Sequence, residues 1–445
     1  MSAEKIQALL EKQANLAALR TRLAPSEIDF TTFDSPAFIT DERLLRANLE
    51  LLKELAELAG VKILLAQKAY SLYETYPLIA EYLAGAAASG YNEARLAYEA
   101  MGKEVQVYSP AYAPGELEAV LPCVDKLIFN RYRQIIEALP LVEAERARRR
   151  ASGDSRELSI GLRLNPEYSE VETDLYNPAA PGSRLGTTAS LLAQDLAAYA
   201  LERGLPEDSK ELYAPLSGIH LHCLCEENFQ PLKGVVDALE AKFPELLKQV
   251  EWVNLGGGHH LTRADYDLKA LVPFLREFKA RHNLAEVYLE PGEAICYDAG
   301  WLLCSVLDFQ PNQLVNAILD VSATCHTPDV LEMPYRPRLF AVKDREVLAG
   351  EAAELAYSYR LGGPSCLAGD SFGDYSFGVE LARGDRLVFC DMALYTHVKT
   401  TMFNGMAHPD LVLYRGPNQP PRLLKRFGFK DFAARLGGSD PAEQK

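Results

Sequence analysis

The 445-residue chain has no apolar run long enough to span a bilayer. Residues 1–23 carry mixed charges and no apolar leader core, so a cytoplasmic protein with no membrane partner is expected. Positive charge is short: 46 Lys and Arg face 62 Asp and Glu, a formal net charge of −16. That balance argues against a nucleic-acid backbone as partner and permits a cationic one. Cysteine is sparse and scattered, and the eight residues read as reduced thiols rather than a disulfide framework. Cys223-Leu224-Cys225 is not a zinc-ribbon spacing and has no second pair, so no metal centre is expected from it. No Gly-rich dinucleotide fingerprint follows an early strand, which counts against a doubly wound open sheet.

What is present is a rhythm. Leu9, Leu16 and Leu19 recur at helical spacing over residues 4–23, where Pro25 marks the end. Residues 35–39 read as a short strand. Apolar strand-like runs then follow at 62–67, 86–89, 105–108, 126–129, 159–164, 217–222, 251–255 and 286–290, with helix-like segments between most of them. Eight such units predict an α/β fold, a closed eight-stranded parallel (β/α)8 barrel. After Gly300 the runs are strand-like and joined by turn signals, which predicts an all-β C-terminal domain. The expected division is a helical extension (1–35), the barrel (36–300) and the β domain (301–445). The Arg-rich residues 143–157 read as a solvated helix end and loop, and residues 437–445 as a disordered tail.

Chemistry in such a barrel sits at the C-terminal ends of the strands. The first strand ends in Lys68, where a cation either bends to solvent or serves a reaction. The fifth places Arg163 and Asn165 near its mouth, and the sixth ends in His220-Leu221-His222. The seventh ends in Gly256-Gly257-Gly258-His259-His260, and the eighth in Glu290-Pro291-Gly292-Glu293. Three glycines let backbone N–H groups approach an anion closely, and the loops after the last two strands are the recurrent phosphate site of these barrels. Glu290 beside that cradle cannot hold a phosphate, but it can hold a protonated ring nitrogen. A lysine, a phosphate cradle and a carboxylate for a ring nitrogen together describe pyridoxal 5'-phosphate. His222 is either a satisfied core residue or a ring that stacks on the cofactor. In the β domain, residues 362–370 form a Gly/Pro-rich loop holding Cys366 and Asp370, with the thiol either filler or reagent.

These residues carry a resemblance. Leu64-Leu65-Ala66-Gln67-Lys68-Ala69 and the segments 181–186, 252–260, 288–293, 322–334, 363–370 and 391–405 resemble the carboxynorspermidine (carboxyspermidine) decarboxylases. These belong to the alanine-racemase-like, fold type III pyridoxal-phosphate enzymes, with ornithine and diaminopimelate decarboxylases. The resemblance covers roughly residues 36–415. It implies Lys68 as the Schiff-base lysine, His222 as the stacking ring, Gly256, Gly257, Gly258 and Tyr395 as phosphate holders, and Glu290 as the pyridinium partner. Arg163 is counted with the cofactor residues. Cys366 is implied as a catalytic thiol supplied across the interface of a homodimer with shared active sites. Relatives such as ornithine decarboxylase have arginine where Glu293 stands. Glu293 and Asp329, with Glu332 and Asp370, are therefore expected to bind a cationic carboxypolyamine. Gln67 stands where an apolar residue is expected and predicts a more polar pocket. Two rivals remain. One is a related diaminopimelate- or ornithine-type decarboxylase. The other is a metal-dependent barrel hydrolase using His220, His222, His259, His260 and Cys225.

Overall fold

A computed structural model describes residues 3–22, 28–206, 208–343 and 346–437. The chain divides into two compact units, one of residues 1–15 and 48–295, the other of residues 16–47 and 296–445.

The first strand of the chain, β1 (Ala37–Asp41), belongs to the second unit, pairing antiparallel with β10 (Gly300–Asn312) and parallel with β17 (Asp410–Tyr414). The strand expected at the start of the barrel domain is therefore part of the C-terminal sheet, and the division expected at residue 36 moves. Periodicity locates a strand but does not say which sheet it joins.

The first unit is a closed parallel barrel of β2 (Lys62–Ala66), β3 (Gly85–Ala88), β4 (Glu104–Tyr108), β5 (Lys126–Phe129), β6 (Ser159–Arg163), β7 (Gly218–His220), β8 (Trp252–Asn254) and β9 (Glu286–Leu289). It closes where Lys62 and Ile63 register against Tyr288 and Leu289. All eight expected strands are present, each within two residues of its expected ends. Leu64, Ile128, Trp252 and Tyr288 pack inside it. The Trp252 indole has room because the two preceding strands offer glycine. A Cβ on Gly161 or Gly218 would lie 2.4 or 2.0 Å from the indole ring. Below that plug, Lys62 and Lys126 pair with Glu104 and Glu286 and lie over the Tyr288 ring.

One local expectation changes. The helix expected over 72–84 is a single turn, Tyr76–Ile79, with Pro77 at its start and Gly85 opening the next strand. The Arg-rich stretch is a helix end and loop as expected, with helix Tyr132–Ser152 capped by Gly153 and most side chains exposed, but Arg149 is 2% exposed. Its guanidinium donates to the carbonyls of Leu121 and Val124, both at 2.7 Å, and pairs with the buried Glu145. The N-terminal helix runs Ala3–Arg22, and Gln13 anchors it by donating to the carbonyls of Arg263 and Tyr266 at 2.6 and 3.0 Å. Its stop at Pro25 and the tail at 438–445 lie outside the described residues.

The second unit is a ten-stranded sheet built on β10, which pairs with β1 and β16 (Arg386–Cys390) through its first half and with β11 (Leu314–Leu319) through its second. A register shift between Val306 and Asp308 lets one long strand serve both. The remaining strands are β12 (Leu339–Val342), β13 (Glu346–Leu348), β14 (Tyr357–Gly362), β15 (Ser371–Phe377) and β18 (Arg422–Lys425). Of these, β13, β15 and β18 were not foreseen. In β15, Gly373 and Asp374 interrupt the apolar alternation, yet Phe372, Tyr375 and Phe377 all enter the core.

Candidate active site

The C-terminal mouth of the barrel holds a cavity of about 50 Å³ whose walls include Lys68, Tyr108, Arg163, His220 and Glu290. Lys68 stands in the turn after β2, where Ala69 N–H donates to the Ala66 carbonyl at 3.0 Å. The turn sends consecutive side chains opposite ways. Ala66 and Lys68 line the cavity, while Gln67 is fully buried behind them. The Gln67 amide donates to the Glu93 carbonyl and accepts from the Tyr76 hydroxyl, both at 2.9 Å. Gln67 therefore anchors the turn, and the more polar pocket expected from it is not what it makes.

Lys68 Nζ lies 3.2 Å from His222 Nε2. Gly257 N–H donates to His222 Nδ1 at 3.2 Å, so the neutral ring carries its proton on Nε2 and points it at the lysine. Such a contact is favoured by the uncharged form of the amine. The electrostatics agree. Burial, then the charge of Arg163, lower the Lys68 pKa below the ordinary lysine value, against Glu290, Glu293 and Cys225. Burial, then Lys68 and Arg163, hold His222 well below the usual histidine range. Both shifts favour the uncharged forms of the amine and the ring.

Glu290 leaves β9 on the same cavity wall. Asn254 Nδ2 donates to its Oε1 at 2.6 Å, and His220 Nε2 lies 3.4 Å from its Oε2. Burial favours the protonated acid, but His220, Lys68 and the Asn254 amide outweigh it, so the carboxyl pKa is lowered. The Asn254 amide also donates to Gln106 at 2.8 Å, which fixes its orientation. His220 stacks on Tyr108 with ring centroids 5.5 Å apart. The Arg163 guanidinium lies 4.4 Å over the Tyr108 ring and donates to the His222 carbonyl at 3.1 Å.

The glycine loop is required by close approach. A Cβ on Gly256, Gly257 or Gly258 would lie 2.2, 2.2 or 2.0 Å from the carbonyl oxygens of Leu221, Glu290 and Leu224. Two of its N–H groups are engaged locally, Gly256 with Asn254 Oδ1 at 2.9 Å and Gly257 with His222.

Within the second unit, Cys366 is exposed on the turn between β14 and β15, and its thiol lies 3.3 Å from Asn404 Oδ1. Asp370 is buried and accepts from the Ser322 hydroxyl (2.8 Å) and the N–H groups of Thr324 and Ser365 (3.2 and 3.3 Å). That makes it the anchor of the Cys366 turn. Glu332 is exposed and paired with Lys399. Asp329 is buried, accepts from the Tyr335 hydroxyl at 2.9 Å, and leaves Oδ1 with no hydrogen-bond partner. Tyr395 follows β16 with a left-handed backbone, φ 34°.

A metal-dependent hydrolase would gather its histidines. Here His220 turns to Glu290, His222 to Lys68, and His259 to the Tyr266 hydroxyl at 3.0 Å. Among the described residues, the one metal-like grouping is Glu226, His260 and Glu293.

The family described as "Pyridoxal-dependent decarboxylase, C-terminal sheet domain" matches residues 37–393. The chain belongs to this family. It is similar to a carboxyaminopropylagmatine decarboxylase from Synechocystis, 40% identical over 92% of this chain and 96% of that protein. It is similar also to a carboxynorspermidine/carboxyspermidine decarboxylase from Campylobacter jejuni, 35% identical over 91% of this chain and 99% of that one. A crystal structure of a carboxynorspermidine decarboxylase complexed with norspermidine, from Campylobacter jejuni, superposes with a TM-score of 0.75. It is 33% identical, and the match covers 91% of this chain and 100% of that one. A diaminopimelate decarboxylase from Helicobacter pylori at 16% identity shares the fold, with a TM-score of 0.71.

In this pyridoxal-dependent decarboxylase, sequence reasoning missed four residues that build the mouth. Asn254 and Gln106 sit at barrel positions that an apolar pattern passes over. Tyr108 reads as the last apolar residue of its strand. Glu226 reads as an ordinary surface acid. Asn254 and Tyr108 could have been found as polar or amphipathic groups ending barrel strands. Glu226 had no signal of its own.

Proposed function

We propose that this pyridoxal-dependent decarboxylase binds pyridoxal 5'-phosphate and removes the α-carboxylate of a carboxylated polyamine. The observation that carries the cofactor reading is the pairing of Lys68, with its lowered pKa, and Glu290, held ionised by His220 and Asn254, on the walls of one cavity. The cavity fits the group: a nucleophilic amine, an anionic acceptor for a protonated ring nitrogen, a neutral imidazole, and a loop whose backbone a side chain would block. Lys68, Arg163, His222, Gly256, Gly257, Gly258, Glu290 and Tyr395 would hold it. When bound, the cofactor supplies a conjugated ring that accepts the electron pair left by departing carbon dioxide.

The protein's part is binding, orientation and proton placement. Glu290 keeps a proton on the pyridine nitrogen, because an ionised carboxylate accepts its hydrogen bond. His222, neutral and held by Gly257, presents a flat face without adding charge. Lys68 or Cys366 returns one proton to the α-carbon, so the substrate loses carbon dioxide and gains a hydrogen. Glu293 and Asp329 are the acids for the substrate's distal cation. Cys366, exposed on its turn, fits supply across a homodimer interface, and sedimentation equilibrium showing only monomer would remove that reading.

The two relatives differ in the substrate's far end. Carboxynorspermidine and carboxyspermidine end in an amine, and carboxyaminopropylagmatine ends in a guanidinium. The higher identity to the Synechocystis protein favours the guanidinium end, and the structural match to the Campylobacter jejuni protein favours the amine. A carbon dioxide release assay with all three carboxypolyamines, ornithine and diaminopimelate decides. The expected outcome is turnover of at least one carboxypolyamine far above both amino acids. Preference for ornithine or diaminopimelate overturns the substrate class and leaves the cofactor reading standing. A cytoplasmic location fits the eight unbonded cysteines and the lack, among the described residues, of any helix long and apolar enough to cross a membrane. Recovery of the native protein in a membrane or secreted fraction would contradict it.

A further inference from the structure

We propose that Glu226, His260 and Glu293 form one cation subsite at the barrel mouth, in which Glu226 is a second carboxylate for the distal cation of the substrate and His260 is the positioning residue that aims Glu293. This rests on the carboxypolyamine reading above.

Three strand ends converge to make it. Glu226 lies beyond β7, four residues past His222. His260 lies beyond β8, two residues past the glycine loop. Glu293 lies beyond β9, three residues past Glu290. The subsite therefore hangs from the same segments that hold the stacking ring, the loop and the ring-nitrogen carboxylate. His260 is 6% exposed, and its Nε2 lies 2.7 Å from Glu293 Oε2. One ligating atom from each of the three side chains lies within 4.8 Å of the other two. Glu226 is exposed and has a left-handed backbone, φ 56°, a conformation that costs a non-glycine residue about 1 kcal/mol or more. That backbone delivers its carboxylate to the other two.

Charge shows what the cluster can hold. With His260 protonated the cluster carries two negative charges and one positive. The nearest guanidinium, Arg263, is committed to Asp265 by bonds of 2.8 and 2.6 Å. Burial lowers the His260 pKa but Glu293 and Glu226 together outweigh it, and desolvation of the Glu226 carboxyl, then Glu293, raise the Glu226 pKa. Two acids facing one imidazole leave the cluster able to accept a cationic donor. An ammonium or guanidinium is a hydrogen-bond donor that both acids can receive, and the position of the three groups beside the substrate cavity suits that role.

The test uses holoenzyme and competitive inhibition by norspermidine, by the guanidino polyamine aminopropylagmatine, and by N-propyl-1,3-diaminopropane, which is norspermidine without one terminal amine. Glu226→Gln is expected to weaken the better of the two fully cationic inhibitors tenfold or more, and to raise KM for the carboxylated substrate more than it lowers kcat. Inhibition by the monoterminal amine should be little changed, and Glu226→Asp should recover part of the loss. His260→Gln should show the same KM-against-kcat split, with unchanged cofactor absorbance. The proposal is overturned if Glu226→Gln weakens both kinds of inhibitor equally, if either variant loses kcat at unchanged KM, or if the holoenzyme carries a stoichiometric divalent metal that these variants release. Should the wild-type enzyme bind none of the three polyamines, the substrate reading itself fails. Should it bind them and the variants match it, only the subsite fails.

Discussion

Lys68 and Glu290 owe their chemistry to neighbours, and neither works as an isolated side chain. The carboxylate is the more exposed to substitution, because its charge is kept by only a few contacts: the His220 ring, the Lys68 amine and the Asn254 amide. Glu290→Gln preserves size and the ability to accept from Asn254, but an amide cannot hold a proton on a ring nitrogen. The expected result is a fall in kcat of roughly 10²–10³-fold, typical of removing one charge-stabilising group, with the bound-cofactor absorbance retained. A variant with near-normal kcat would remove Glu290 from that role. Gln67 shows how a residue is misread from sequence. Its polarity looks like a message about the pocket, yet the strand's alternation turns it away, toward Tyr76 and the Glu93 carbonyl.

The barrel strands share one interior, and the Trp252 plug shows how tightly. Gly218→Ala places a methyl 2.0 Å from the indole, so ring or strand must shift. Overpacking of this kind costs typically 1–3 kcal/mol, and Tm should fall by several degrees. Trp252→Phe in the same chain should recover part of the loss, because the smaller ring vacates the contested space. Equal Tm for the single and double variants would contradict this packing. The barrel was legible because each strand is a short apolar run between helices, a pattern that periodicity reports directly. Strand β1 was legible as a strand and not as a member of the distant sheet, since pairing with β10 and β17 depends on partners more than 250 residues away. The candidate site was legible where chemistry-bearing residues end strands, as with Lys68, His222 and Glu290. It was not legible at Glu226, whose meaning arises only when three loops meet, nor at Asp370, whose acid closes a turn.

Across the whole molecule, histidine sets the response to acid. Six of the eight have lowered pKa values: His220, His222, His259, His326, His397 and His408. Burial is the first cause in each, and His259, His326 and His397 lie at about 4. An unfolded histidine titrates near 6.5, so between pH 6.5 and 5 the unfolded chain binds more protons than the native one. Stability from these groups is complete above that window and declines as pH falls, by at most about 1.4 kcal/mol per pH unit for each group. His260, raised by Glu293 and Glu226, acts in the opposite sense and is outnumbered. Calorimetry should show Tm falling steadily from pH 7 to pH 5, and a flat Tm would contradict it. The Trp252 plug has a last consequence, for traffic. The indole, Leu64, Ile128 and Tyr288 pack across the barrel, and Lys62 and Lys126 are ion-paired at its other end, which favours exit through the mouth. Carbon dioxide released beside Lys68 would then share the mouth with the departing polyamine, and a ligand that plugs the mouth is expected to slow the release of both.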